Sequence, residues 1–528
     1  MPPSVTSIGV LSFEGCVSLS DIVLSSSIQT IGDNAFAGCS SFIQITIPQS
    51  VTSLGSYLFK DCVTLQKVEI LSNLTKISEG FCRGCTSLSS ITIPSSVVAI
   101  DDNAFNECES LSNIEIPLSV TSLGSYVFSK CKTLEKLTLP SSITKIGESA
   151  FKECASLTEM TIPESVEVIE RAAFKDCVAL KKLIINGSIH TIEDDFLNGC
   201  KSLTEIFLPE TVTSIEERAF FNCSSLPAIK IPDTVSSIGS NAFEGCSSLM
   251  IIKIPPSVSM IGENVFCGCT ALSQITIPSS TKSIGGNALK RCSSLPHLLI
   301  PSSVTEIKDH AFSGCENLTQ IVIPSSVTTI CDYAFEGCSS LIQITIPSSV
   351  TSLGCFTFKD CTSLVKITIP SSINTIGMSV FKGCTNLTDI TIPESVTSIG
   401  NNAFSHCSSL KNIIIPESVI SIGNNAFECC SKITEILIPS KVTTIGYGAF
   451  KGCTSLKQIS IPASVTKIGG SVFFDCTSLT KLKIPSSVQS IGNLAFKKCS
   501  SLTHLAIPST VSSIKDLGIE LSVEVTRY

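Results

Sequence analysis

The sequence predicts a repeat solenoid of the α/β type, mostly β: a curved array of 23-residue rungs with a parallel sheet on one face. Three observations carry that expectation. A cysteine recurs every 23 residues from Cys16 to Cys499, twenty-two times without insertion or deletion. Most other positions keep the same step, so one unit reads Val-x-x-Ile-Gly-x-x-Ala-Phe-x-x-Cys-x-x-Leu-x-x-Ile-x-Ile-Pro-x-Ser, as in Val396 to Ser418. A fixed period between about 20 and 50 residues is the signature of stacked repeats. The eight apolar positions of one unit bury too little surface to offset the backbone entropy of ordering it, so the units must stack like on like.

Each element of the unit follows from its residues. In Leu-x-x-Ile-x-Ile, residues such as Ile413 and Ile415 alternate with positions that point the other way, which predicts a strand. Proline occupies the next phase in nineteen of the twenty-two rungs, from Pro48 to Pro508, and ends the strand because it has no N–H to give a ladder. The glycine after Val-x-x-Ile looks like a second corner, but Ser78, Asp101, Glu170, Glu193, Glu216, Lys308 and Cys331 replace it, so that corner does not require a positive φ. Phenylalanine three before the cysteine, present in nineteen of twenty-two rungs, is expected to form an interior aromatic column. Two rungs break the pattern together: Leu71 and Asn186 replace proline, and Phe81-Cys82 and Phe196-Leu197 stand where Ala-Phe is expected, which predicts local repacking of that column.

The bulk numbers fit one elongated domain over residues 1–507, twenty-two rungs long, followed at 508–528 by a decayed repeat that is a candidate cap. Hydrophobic residues make up 43% and charged residues 15% of 528, too apolar for disorder. No apolar run approaches the roughly 18 residues of a membrane span, and Met-Pro-Pro-Ser-Val has neither the basic stretch nor the apolar core of a secretory signal. The net charge of -8 is spread without a basic stripe, which argues against nucleic acid.

The longer motif Ile-Pro-x-Ser-Val-x-x-Ile-Gly-x-x-Ala-Phe-x-x-Cys, seen as Ile392 to Cys407 and, with Cys331 in place of the glycine, as Ile323 to Cys338, resembles the BspA-type leucine-rich repeat, a branch known from surface proteins of bacteria and parasitic protists. The resemblance covers Pro2 to about Ile514. It implies a leucine-rich repeat array and a non-catalytic, protein-binding surface antigen or adhesin that attaches to host matrix or cells, displayed at the cell surface or secreted. No signal or anchor is visible, so an intracellular scaffold of the same fold is the alternative.

Chemistry is sparse along the chain. Twenty-two of the 27 cysteines lie in the ladder, and rungs about 4.8 Å apart hold their Cβ atoms farther apart than the roughly 3.5 to 4.5 Å of a disulfide, so the ladder is expected to be reduced and buried. Cys82, Cys267, Cys331, Cys355 and Cys429 lie outside it, and Cys82 of the Cys82-Arg83-Gly84-Cys85 pair occupies the phenylalanine phase. Five histidines fall in four different phases, and no phosphate loop, zinc-protease or nucleophile-elbow motif occurs. No enzyme activity, cofactor or metal is expected. The many serines sit in turn phases, where hydroxyls bond local backbone. Five sequons, at Asn73, Asn186, Asn222, Asn317 and Asn386, are candidate glycan acceptors.

The positions five and seven after each cysteine should form the exposed face of the sheet. Threonine is frequent at the seventh, as at Thr46, Thr92 and Thr138, but Ile184 and Phe207 interrupt it on successive rungs, followed by Lys230 and Lys253. An exposed aromatic beside lysines is the candidate anchor for a protein partner. End-to-end self-association is a further expectation.

Overall fold

The computed structural model describes residues 1–512 and 514–528. Contacts divide the chain into two compact units, Met1–Val258 with Gly268–Thr270, and Ser259–Cys267 with Ala271–Tyr528. Both repeat the same rung. In the first unit, Gln44–Ile47 forms the longer strand, with Ile45 and Ile47 buried and Gln44 and Thr46 exposed. Pro48 ends it, and the Val51 N–H closes a turn onto the Pro48 carbonyl at 3.1 Å. A two-residue strand, Ser53–Leu54, follows. Both strands pair in parallel with their equivalents one rung away, Gln44 with Lys67 and Thr30 with Ser53.

The rest of the rung corrects the α component of the expected fold: no helix forms among the described residues. The segment from glycine to cysteine is a run of turns, and its backbone prevents a helix. Two residues of each rung, five and one before the cysteine, adopt left-handed φ; Tyr57 at 56° and Asp61 at 58° precede Cys62. A right-handed helix cannot continue through a left-handed residue. The N–H groups are satisfied alternately instead. Lys60 and Cys62 donate to Tyr57 and Phe59 of their own rung at 3.1 Å, while Tyr57, Phe59 and Asp61 donate to the next rung at 2.7, 2.9 and 2.7 Å. This third inter-rung ladder accounts for backbone groups that would otherwise be buried without partners.

The side-chain columns add their own cross-rung bonds. From Cys39 onward each ladder thiol donates to the backbone carbonyl 26 residues earlier, usually that of a phenylalanine, as from Cys62 to Phe36 at 3.1 Å, from Cys177 to Phe151 at 3.0 Å and, in the second unit, from Cys407 to Phe381 at 3.1 Å; Cys108 and Cys223 use Cys82 and Leu197 in the same phase. The Phe36 carbonyl already accepts the Cys39 N–H at 3.3 Å, so the thiol takes its second lone pair, which an alanine or valine could not do. The serines two after proline were expected to bond local backbone. They reach across instead, Ser96 to the Leu74 carbonyl at 2.7 Å and Ser418 to that of Val396 at 2.6 Å, each 22 residues earlier. These carbonyls belong to the preceding rung, and stacking brings them within reach.

Phenylalanines stack along each unit. Phe105, Phe128, Phe151 and Phe174 lie 5.6, 5.7 and 5.2 Å apart in the first, and Phe381, Phe404 and Phe427 5.5 and 5.4 Å apart in the second. The two irregular rungs do repack. Phe81 and Phe196 meet their neighbours Phe59 and Phe174 edge-on, at 85° and 84°, while Cys82 and Leu197 fill the vacated ring phase. At the other end of the second unit, Glu524–Arg527 pairs with His504–Ile507 in a register of 20 residues, His504 opposite Glu524, and Val511 and Leu517 are buried.

Two outcomes follow from these ladders. Burial raises ladder thiols from 9.0 to about 12, as at Cys177, Cys246, Cys315 and Cys453. The unfolded chain therefore ionises first, so stability should hold below about pH 9 and fall steeply as pH rises toward 12, read as the melting temperature against pH. Arg291, left-handed at 60°, carries a side chain that this conformation disfavours. Arg291→Asn should raise stability by roughly 0.5 to 1 kcal/mol in denaturant titration, because asparagine tolerates that region better.

Candidate functional site

On the strand face of the first unit, the structure places the four predicted residues in one phase of successive rungs. Ile184 is half-buried and pairs in register with Phe207, which is 53% exposed. Lys230 and Lys253 are exposed on the next two rungs, but their charges are already engaged. Lys230 reaches back to Glu210 at 2.5 Å and Lys253 to Asp233 at 3.6 Å, in the turn after the preceding strand. The cation beside the aromatic ring is Lys182, whose ammonium lies 5.7 Å from the centre of Phe207 while it pairs with Glu205 at 2.8 Å. Such exposed pairs are screened by solvent and contribute little, so a partner's carboxylates can exchange for them at little cost.

Sequence reasoning missed the charge pattern on this face. Lys136 and Glu159, 3.1 Å apart, precede Lys182 and Glu205 on the phase five after the cysteine. Lys136, Glu159 and Lys182 line a shallow groove of about 430 Å³ with Thr138, Thr161 and Ile184. The second unit carries exposed apolar residues that also went unnoticed: Leu299 paired with Val322, 76% and 67% exposed, and Ile414 and Leu437 on successive rungs. All four occupy the phase of Phe207. Following that single column through every rung, rather than stopping at the aromatic, would have found them.

The remaining candidates fall apart in space or into the core. Cys82 and Cys85 are buried, Cys82 in the ring phase. Among the described residues no group of three or more His, Cys, Asp or Glu converges in metal-binding geometry. Cys331, Cys355 and Cys429 are half-buried near the surface, and burial beside Glu306 and Asp309 pushes the Cys331 thiol up to about 11. All five sequon asparagines are exposed.

A family model and several solved structures match the chain. The family described as BspA type leucine rich repeat region, six copies long, matches residues 1–102, 79–204, 190–319, 305–434 and 420–520. No curated protein matches the chain. Among solved structures, a leucine-rich repeat protein from Bacteroides ovatus ATCC 8483 is 23% identical, over 95% of this chain and 88% of that one, with a TM-score of 0.30. Another from Eubacterium ventriosum ATCC 27560 is 21% identical over 75% and 84%, with a TM-score of 0.36. A leucine rich cell surface protein from Faecalibacterium prausnitzii A2-165 is 24% identical over 86% and 87%, with a TM-score of 0.26.

Thiol labelling checks the division between surface and core cysteines. A thiol-specific reagent should modify Cys355 fastest and Cys331 and Cys429, whose thiols burial raises, more slowly in the native protein, while buried ladder members such as Cys177 and Cys407 react only after denaturation, as read by peptide mass mapping.

Proposed function

The chain belongs to the BspA-type leucine-rich repeat family, and we propose that it is a surface antigen or adhesin that attaches to host matrix or cells through the strand face around Ile184, Phe207, Lys230 and Lys253. Leucine-rich repeat proteins are generally non-catalytic, and this repeat family is consistent with a protein-binding scaffold. The observation that carries the reading is the Phe207 ring, half exposed on a regular sheet beside Lys182 and in register with Ile184. A large exposed aromatic ring beside an exchangeable ion pair has the aromatic-and-charged make-up of a protein-binding patch. Residues 508–528 act in this reading as a cap, with Glu524–Arg527 pairing against the last long strand.

Two measurements test it. Surface biotinylation of intact cells should label the protein; protection from the reagent would favour the intracellular scaffold. Purified chain should bind immobilised matrix proteins or host cells, and Phe207→Asp should weaken that binding at least tenfold with an unchanged melting temperature. Equal binding by the variant would remove the Phe207 face from the interaction.

A further inference from the structure

A second surface, away from the strand face, lies along the glycine corner of the second unit. The short strands Ser398–Ile399, Ser421–Ile422, Thr444–Ile445 and Lys467–Ile468 pair in register and form one wall of an open groove of about 800 Å³. Its floor is the backbone of Gly400, Gly423, Gly446 and Gly469. In other rungs the same phase carries Glu170, Glu193, Glu216, Lys308 or Cys331, so this corner is side-chain-free only where glycines run consecutively.

The polar groups lining it are left open. The hydroxyls of Ser398, Ser421 and Thr444 have no hydrogen-bond partner among the described residues, unlike the serines of the proline corner, which bond backbone. On the other wall, the Asn401 and Asn424 side chains accept the N–H of the next rung, at Asn424 and Tyr447, both at 2.8 Å. Met378 and Tyr447 interrupt that series, so the N–H groups of Asn401 and Gly470 find no acceptor among the described residues. Tyr447 stands 51% exposed at this interruption, and Lys467 is the one charged residue of the lining.

We infer that this groove binds a neutral, extended oligosaccharide. A sugar chain offers both donors and acceptors to hydroxyls and free N–H groups, and a C–H face to the Tyr447 ring. The spacing favours it as well. The hydroxyl row repeats once per rung, about 4.8 Å, close to the length of one pyranose residue, whereas like-facing side chains of an extended peptide repeat at about 6.6 Å. With a single lysine in the lining, an anionic chain finds too little positive charge.

The experiment is calorimetric titration of the full chain with cellohexaose, chitohexaose and maltohexaose, with oligogalacturonate and a neutral Gly-Ser-Thr dodecapeptide alongside. At least one neutral hexasaccharide should bind saturably and at least tenfold more tightly than its disaccharide, because it spans several rungs. Tyr447→Ala and Ser421→Arg, which remove the ring and fill the groove, should each weaken it at least tenfold with the melting temperature unchanged. Failure of all three hexasaccharides to saturate, tighter binding of the peptide or the anionic chain, or binding that survives both substitutions would overturn the assignment.

Discussion

Hydrogen bonds that join neighbouring rungs span nearly constant separations along the chain: 22 residues for the serine hydroxyls, 23 for both strands and 26 for the thiols. The uniform rung length is therefore the constraint on which the rest depends. A rung one residue longer would flip the strand faces and carry its thiol, hydroxyl and ring out of reach of their partners. With the step fixed, an interior of repeated phenylalanine, cysteine and isoleucine is satisfied in every rung by the same few bonds.

The same constraint divides the surface by tolerance. Positions that enter a ladder are held to few residue types. The fifth and seventh positions after the cysteine contribute only backbone to the sheet, so their side chains vary freely: Lys182, Phe207, Leu299 and Ile414 all occupy them. The glycine corner is intermediate. A Cβ added at Gly423 or Gly446 would meet the preceding rung's backbone at 2.6 or 2.5 Å, yet seven rungs carry a side chain there. A regular core thus supports a varied sheet and, where glycines persist, an open trough.

Much of this was legible in the sequence because a strictly repeated pattern reports packing directly. The alternation of Ile413 and Ile415, the terminating prolines and the buried cysteines all fall where periodicity put them, and the shifted aromatics Phe81 and Phe196 signalled the two edge-on contacts. The turn stack was harder to read. Its left-handed positions favour asparagine or glycine, as at Asn34 and Gly38, but tyrosine, arginine and histidine also occupy them at Tyr57, Arg218 and His310, which blurs the signal. The strand-face lysines were identified, but not their pairing with Glu210 and Asp233, because those partners lie 20 residues away and only stacking brings them near.

The thiol bond has a consequence for inheritance. Each cysteine needs only a backbone carbonyl beneath it, whatever the side chain there, and offers the next rung an identical seat, so the thiol ladder binds no rung to a particular neighbour. Unequal recombination between repeated segments can then delete or duplicate whole turns, with the backbone and thiol ladders re-forming across the junction. A lineage can lengthen or shorten the molecule in steps of one turn.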